Sequence, residues 1–154
     1  MKALVVYDSQ FGNTETVARA IGEALGADVI KAEAAGPDVL RGLDLLVVGA
    51  PTQAGRPTRA VKQLIAKLPP NALEGVDVAA FDTRIDASCA GFVGRIALKF
   101  LGFAAPRIER ALRGKGGHAI ATEGFFVEDT KGPLRAAELE RAGAWARTLP
   151  RRVA

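Results

Sequence analysis

Six consecutive residues near the N-terminus have the side chains expected of a phosphate-binding loop. They include hydroxyl and amide side chains, one glycine and no basic residue: Ser9, Gln10, Phe11, Gly12, Asn13 and Thr14. If a helix follows, its first N–H groups have no partner inside the helix and carry the positive end of its dipole, so they can bind an anion without a cation. Gly12 would let the backbone approach that anion or adopt a positive φ. The alternative is an ordinary strand-to-helix turn in which Ser9 and Asn13 only cap the helix.

An apolar strand and an amphipathic helix are predicted on either side of this segment. Residues 4–7 form an apolar, β-branched run that is too short for a helix, so they predict a buried strand. Val17, Ile21 and Leu25 recur every four residues, which predicts a helix whose apolar face packs on a sheet. The loop therefore joins the carboxyl end of a strand to the amino end of a helix.

The sequence YDSQFGNTETVA resembles the phosphate-binding signature of the flavodoxins. In that signature an aromatic residue ends the strand, and a loop rich in Ser and Thr closes in G-N-T before the helix. The resemblance implies that residues 9–14 hold the 5′-phosphate of FMN. Phe11 stands where the family usually has a small hydroxyl residue, which removes one side-chain donor and leaves the backbone donors in place.

Two further loops resemble the flavodoxin segments that contact the rest of FMN. In the second loop, GAPT with a downstream glycine implies that Thr52 contacts the phosphate or the ribityl chain, and that the backbone of residues 53–55 faces the flavin ring. The third loop corresponds to residues 82–86. The cofactor-binding residues implied in these two loops are Pro51, Thr52, Gln53, Ala54, Gly55, Asp82, Thr83 and Arg84.

Neither of these loops contains an aromatic residue, whereas flavodoxins commonly enclose the ring between a Trp or other aromatic and a Tyr. Stacking is worth ~0.5–1.5 kcal/mol per pair, so the loss of both partners would weaken binding roughly ten- to a hundredfold. Electron-rich rings also disfavour the negative charge of a reduced flavin, so their absence would ease reduction. Arg84 would act in the same direction if its cation lay near the flavin. The alternative for Arg84 is a solvated loop arginine.

The rest of the chain predicts an α/β fold in which strands alternate with helices. The resemblance implies the flavodoxin-like, doubly wound, five-stranded parallel sheet of order 2-1-3-4-5, with helices on both faces and a ligand cleft at the carboxyl ends of strands 1, 3 and 4. The loops at residues 8–14, 50–57 and 82–91 should meet there. Strands 2 to 5 are expected at residues 28–30, 43–48, 76–81 and 118–122.

The connecting segments are less regular in sequence than the strands. Pro57 can open the second helix, and the last helix is expected from Pro133 or Leu134 to about Leu149, with Leu139 on its buried stripe. Residues 123–126 are expected to cover the end of the sheet. Without a repeat or a linker, residues 1–154 predict a single flavodoxin-like domain.

One long apolar segment, at residues 90–105, permits more than one interpretation. Val93, Ile96, Phe100 and Phe103 form one helical stripe, which predicts a crossover helix packed on the sheet. Additional apolar residues around the stripe leave open a homodimer contact, a docking surface or, less favoured, a membrane-surface helix.

Charge is distributed unevenly along the 154 residues. Residues 1–83 carry 8 Lys and Arg against 10 Asp and Glu, a net charge of −2, and residues 84–154 carry 13 against 7, a net charge of +6. Most known flavodoxins are acidic and dock on basic partners, so a redox partner of this chain could instead be acidic. No nucleic-acid-binding motif accompanies the basic residues, so we do not expect a nucleic-acid partner.

Composition predicts a cytoplasmic protein. Met1-Lys2 leads directly into the first strand, no apolar run approaches the ~18 residues of a membrane span, and the single cysteine, Cys89, fits a reducing compartment. One histidine, His118, and one cysteine give no metal cluster and no catalytic triad.

Three functional hypotheses follow from the sequence. The first is an electron carrier with non-covalently bound FMN. The second is an enzyme, a flavin-dependent reductase of a quinone or another small acceptor. The third is a flavodoxin-fold interaction module that binds no FMN and acts through its basic, apolar second half.

Overall fold

Five parallel strands form one sheet in the order β2-β1-β3-β4-β5, as the sequence predicts. The computed structural model describes residues 1–86, 91–93, 96 and 102–149. The strands are β1 (Ala3–Tyr7), β2 (Asp28–Lys31), β3 (Leu45–Pro51), β4 (Asp77–Ile85) and β5 (His118–Val127).

Four α-helices lie in the described part of the chain: α1 (Asn13–Leu25), α2 (Arg59–Ala66), α3 (Ala104–Arg113) and α4 (Glu138–Thr148). Two short 3₁₀ helices, Ala32–Ala34 and Pro37–Leu40, connect β2 to β3. Gly26 ends α1 at φ 64°, a left-handed conformation that glycine adopts at low cost. Among the described residues, no helix is long and apolar enough to cross a membrane.

Alternate side chains of each strand pack on opposite faces of the sheet. On one face, Leu4 and Val6 of β1 belong to a core that includes apolar residues of α2 and α3. On the other, Val5 and Tyr7 belong to a core that includes apolar residues of α1 and α4. Both faces of the sheet are therefore covered, which explains why β3 is a continuous apolar run.

Three strands extend further at their carboxyl ends than the sequence predicts. The third strand begins two residues later than expected and runs to Pro51. The fourth strand continues to Ile85 and the fifth to Val127, because Thr83 pairs with Phe125 and Ile85 with Val127. The expected third loop at residues 82–86 is therefore mostly β-strand. Residues 123–126 do not cover the end of the sheet but belong to it.

The helix expected within residues 90–105 lies largely outside the described residues, and the last helix begins later than expected. The helix between β4 and β5 that packs on the sheet core is α3, whose buried residues include Ile108 and Leu112. Within the segment at residues 90–105, the described side chains of Phe92 and Val93 are about 80% exposed. Residues 90, 94, 95 and 97–101 of that segment lie outside the described residues, as does Cys89. The last helix begins at Glu138, several residues later than expected, and its Leu139 is exposed.

Candidate functional site

The loop between β1 and α1 is held by an internal hydrogen bond and leaves the N-terminus of the helix without a side-chain cap. Gly12 occupies the N-cap position with φ 90°, and no side chain caps the helix. Ser9 Oγ accepts a hydrogen bond of 3.0 Å from the N–H of Gly12, so this hydroxyl shapes the loop. Asn13 is already helical, and its Nδ2 donates to the carbonyl of Lys131. The ordinary capped turn that was the alternative prediction is therefore absent.

The first turn of α1 presents unused backbone donors to the cleft. Among the residues that the structure describes, no protein acceptor lies within hydrogen-bond reach of the N–H groups of Phe11, Asn13 and Thr14. These groups carry the positive end of the helix dipole. Their arrangement suits an anion at this point.

Glu15, the acidic residue of the first turn, is engaged below the loop. Its Oε1 accepts a hydrogen bond of 2.5 Å from Tyr7 Oη. This bond is the main cause of a lowered pKa of Glu15, whereas burial, followed by the same bond, raises the pKa of Tyr7. Tyr7 therefore stays protonated and holds the Glu15 carboxylate.

A pair of threonine hydroxyls joins α1 to β4. Thr14 Oγ1 lies 2.8 Å from Thr83 Oγ1, and both residues are buried. Each hydroxyl has one proton, and the bond between the two uses only one of them. The pair therefore keeps one O–H for a ligand.

The second loop is a tight turn that is tied to the first. The N–H and C=O groups of Gln53 and Arg56 exchange two hydrogen bonds of 2.8 and 2.9 Å. Ala54 and Gly55 between them have φ values of 49° and 78°, the combination found in a type I′ turn. Gln53 Nε2 donates to Gln10 Oε1 over 2.8 Å, so the loops after β1 and β3 form one wall.

The charged residues at the end of β4 form a clamp that positions the start of α3. Arg84 donates from Nε and Nη2 to the two oxygens of the fully buried Asp82, over 2.6 and 2.7 Å. The carboxylate also accepts from the N–H of Ala105 in the first turn of α3. The Arg84 guanidinium lies 3.6 Å from the ring centroid of Phe103, against Gly124, where a Cβ would come within 2.2 Å of its Nε. Arg84 is therefore a paired, stacked side chain and not a solvated loop arginine.

Most of the implied cofactor residues meet around one cavity of about 290 Å³. Eleven of them line it: Ser9, Gln10, Phe11, Asn13, Thr14, Pro51, Thr52, Gln53, Ala54, Thr83 and Arg84. The other three do not line the cavity but shape its surroundings. Gly12 belongs to the first loop, Gly55 to the turn of the second loop, and Asp82 to the clamp with Arg84. A cavity of this size lies at the small end of the range for cofactor pockets.

Sequence reasoning missed three lining residues, Ile85, Val127 and Thr130. Ile85 lies in the expected third loop but was not among its implied cofactor residues, and Val127 was missed because β5 is longer than its apolar run indicates. Thr130 lies in the loop after β5, which reaches the site through the bond between Asn13 and Lys131. Phe11 is the one aromatic side chain in the lining, and it is 42% exposed.

His118 lies away from this site. It is the first residue of β5, so it lies at the opposite edge of the parallel sheet, where its Nδ1 is 3.0 Å from Asp77 Oδ1. Its side chain is 73% exposed. No group of three or more His, Cys, Asp or Glu residues within the described ranges could hold a metal ion.

Comparison with known proteins decides the family. The family model named Flavodoxin matches residues 5–121, which include the cavity-lining residues after β1, after β3 and at the end of β4. The chain belongs to the flavodoxin family. Over 69 residues it is also 30% identical to an uncharacterized protein of Methanocaldococcus jannaschii; the match covers 44% of this chain and less than half, 46%, of that protein.

Solved flavodoxin structures share the fold over nearly the whole chain. A flavodoxin from the domain Archaea is 21% identical, with a TM-score of 0.67, over 95% of this chain and 94% of that one. Flavodoxin 1 from Bacillus cereus is 16% identical, with a TM-score of 0.72, over 96% and 95%. A flavodoxin, WrbA-like protein from Agrobacterium tumefaciens is 18% identical, with a TM-score of 0.69, over 94% and 92%.

The donor set of this flavodoxin-family chain fits the phosphate of FMN, the flavin that the family implies. A phosphate needs several convergent donors, and the loop offers unused N–H groups together with hydroxyls of Ser9 and of the threonine pair. The ring region offers small and aliphatic side chains, among them Pro51, Ala54 and Val127. The fit is therefore strong at the phosphate end and rests on shape alone at the ring.

Proposed function

We propose that this flavodoxin-family chain binds FMN non-covalently and carries electrons between redox partners. The observation that supports the proposal best is the unfilled N-terminus of α1, where N–H groups without an acceptor among the described residues face a cavity lined by the loops after β1 and β3 and by the end of β4. A cytoplasmic location is part of the proposal and rests on the single cysteine of the sequence.

In this proposal each wall of the cavity has a separate task. The N–H groups of Asn13 and Thr14 bind the phosphate, and Gly12 at φ 90° keeps the loop open above them. The turn at residues 53–56 faces the ring with its backbone. FMN itself supplies the chemistry by taking up and releasing electrons.

The pairing of Arg84 changes what its charge does to the flavin. The sequence alone predicted that this cation would favour the reduced cofactor. In the structure the Asp82 carboxylate lies 2.6 Å from Arg84 Nε, so the pair has no net charge. We therefore attribute an eased reduction to the ring site, which contains no stacked aromatic pair within the described residues, and not to Arg84.

An absorbance spectrum of the purified protein, followed by titration with FMN, tests the proposal. We expect oxidised-flavin bands or, for protein purified without cofactor, saturable quenching of FMN fluorescence. Reduction and reoxidation should then proceed with separate donor and acceptor proteins. A colourless protein that binds FMN no better than millimolar, ~4 kcal/mol, would refute the proposal and favour the interaction module.

A flavin-dependent reductase is the second candidate, and the ring site favours it. Pro51, Ala54 and Ile85 line the cavity in the two segments where flavodoxins commonly carry the stacking aromatic rings, so a flat acceptor could stack on a flavin bound there. Oxidation of a pyridine nucleotide by the purified protein alone, dependent on an added quinone, would support this activity. Its absence in a protein that exchanges electrons with other proteins would support the carrier.

A further inference from the structure

A second cavity, of about 580 Å³, runs between α2 and α3 beside the second cofactor loop. We call it the basic groove. Five cationic side chains line it: Arg56, Lys62, Arg107, Arg110 and Lys115. No Asp or Glu is among the residues that line it in the described part of the chain.

Three of the cations in the basic groove have no carboxylate partner among the described residues. Arg56, Lys62 and Arg110 are exposed, and none forms an ion pair with a residue that the structure describes. Glu109, the carboxylate next to Arg110 on α3, already bonds Arg113 over 3.2 Å. Elsewhere on the molecule, arginines such as those at positions 19, 41, 84, 135 and 141 have carboxylate partners. Arg56, Lys62 and Arg110 therefore form a local concentration of positive charge without carboxylate partners among the described residues.

The groove is also lined by apolar residues, some of which are buried. Ile65 and Ile108 are buried in the sheet core, and the small side chains of Ala66 and Ala111 are exposed. At one end, Lys115 Nζ donates to the carbonyl of Leu68 over 2.7 Å, which fixes this cation in place. A lining of apolar and cationic residues matches a protein surface in which carboxylates surround a small apolar patch.

Two other polyanions fit the groove less well. Single-stranded nucleic acid is usually held by aromatic side chains on which its bases stack, and none of the described residues that line the groove is aromatic. An anionic membrane would favour large apolar side chains that project into the lipid, whereas the groove is concave and its exposed apolar residues are alanines.

The groove adjoins the candidate cofactor site through the turn at residues 53–56. Arg56 lines the groove and also closes the turn with Gln53, which contacts the first loop through Gln10. A protein seated in the groove would therefore lie beside the wall that faces the flavin ring. We propose that the basic groove docks an acidic electron-transfer protein. The electron transfer in this proposal rests on the proposed function, whereas the docking does not.

Charge reversal on both walls tests the docking. The variant Lys62→Glu/Arg110→Glu places a carboxylate on each helix without touching the cofactor cavity. The matched control Arg41→Glu/Arg147→Glu makes the same change of net charge at exposed positions outside the groove. The probe is a small acidic ferredoxin. In the first measurement it is titrated into the isotope-labelled chain without FMN, and binding is detected from changes in the amide chemical shifts of that chain.

We expect shifts concentrated on α2, α3 and residues 53–56, an affinity at least about tenfold lower in the groove variant, and little change in the control. The difference should shrink as salt is added. Equal losses in the two variants would show that only net charge matters and would overturn the proposal. Tighter binding of an oligothymidylate or of phosphatidylserine vesicles to the same residues would overturn it in favour of those ligands.

Stopped-flow electron transfer from the reduced ferredoxin to the FMN-loaded protein then separates the two claims. A rate constant at least about tenfold lower in the groove variant supports docking and transfer together. Specific binding without transfer leaves the docking proposal standing and refutes the electron carrier. Transfer at equal rates in the wild type and the groove variant refutes docking at the groove and leaves the carrier standing.

Discussion

Removing the Arg84 side chain should destabilise the protein far more than removing an exposed arginine. In Arg84→Met the buried Asp82 carboxylate keeps one described donor, the N–H of Ala105, and loses two charge-assisted hydrogen bonds. Breaking a buried ion pair by removing one partner costs ~3–5 kcal/mol, because the remaining charge is uncompensated. Total stabilities are only ~5–15 kcal/mol, so this loss would be a large fraction of the whole.

Urea denaturation followed by circular dichroism measures the effect. With an m-value of about 2 kcal/mol/M, the loss lowers the midpoint by about 1.5–2.5 M. The control is Arg41→Met, because Arg41 and its partner Asp38 are both almost fully exposed, and such pairs contribute at most ~1 kcal/mol. If Arg84→Met does not fold, Arg84→Lys, which keeps the charge but not the two-pronged geometry, replaces it and should lose stability in the same direction.

Two further variants distinguish the clamp from general packing. Asp82→Asn/Arg84→Met leaves no buried charge at the clamp, so it should be less destabilised than the sum of the single changes. Gly124→Ala places a Cβ against the Arg84 guanidinium, so it should weaken the same pair. The clamp would be refuted if the losses of unfolding free energy in the two single variants added up to the loss in the double variant. It would also be refuted if the urea midpoint of Arg84→Met equalled that of the Arg41→Met control.

Three other predictions concern the loop and the last helix. Gly12→Ala, at φ 90° with open space around it, should cost ~1–2 kcal/mol of stability and weaken FMN binding, whereas Gly36→Ala, also in open space but at φ −113°, should change neither. Thr14→Val should cost ~1–3 kcal/mol in thermal unfolding, because it leaves the buried hydroxyl on β4 without its partner. Hydrogen bonds from Arg141 lower the pKa of Glu138, so the carboxylate stabilises the protein at neutral pH, and Glu138→Gln should be less stable there. That difference should shrink in denaturation series as the pH falls below ~4.3 and the wild-type carboxylate takes up its proton.

The local parts of the site could be predicted from the sequence because neighbouring residues determine them. The run at residues 4–7, Gly12 and the helical stripe of Val17 and Ile21 lie within one strand–loop–helix unit, and the structure confirms each of them. The parallel sheet followed from the alternation of strands and helices, because short crossovers allow few topologies, and the strand order followed from the resemblance to flavodoxins.

The ends of β4 and β5 could not be predicted because their stabilising contacts are distant in sequence. Asp82 and Glu123 look like residues that end a strand. Asp82 instead stays in the sheet because Arg84 and the first turn of α3 satisfy its charge. Phe125 likewise enters the core through edge-on contacts with Phe81 and Trp145, at centroid distances of 6.2 and 6.0 Å.

The loop after β5 is likewise held at the cavity by a contact between residues that are distant in sequence. Asn13 reaches the carbonyl of Lys131 across a separation of 118 residues, and no sequence pattern marks that pair. The clamp and this loop are therefore the parts of the site that only the three-dimensional structure shows.

Parallel calorimetric titrations with FMN and with riboflavin test the central claim, that the N-terminus of α1 binds a phosphate, most directly. The two ligands share the flavin ring and the ribityl chain and differ in the phosphate alone. Two or more charge-assisted hydrogen bonds of ~1.5–3 kcal/mol each predict that FMN binds at least about a hundredfold more tightly. Equal affinities for FMN and riboflavin would contradict the account, because the donors of the loop would then contribute nothing to binding.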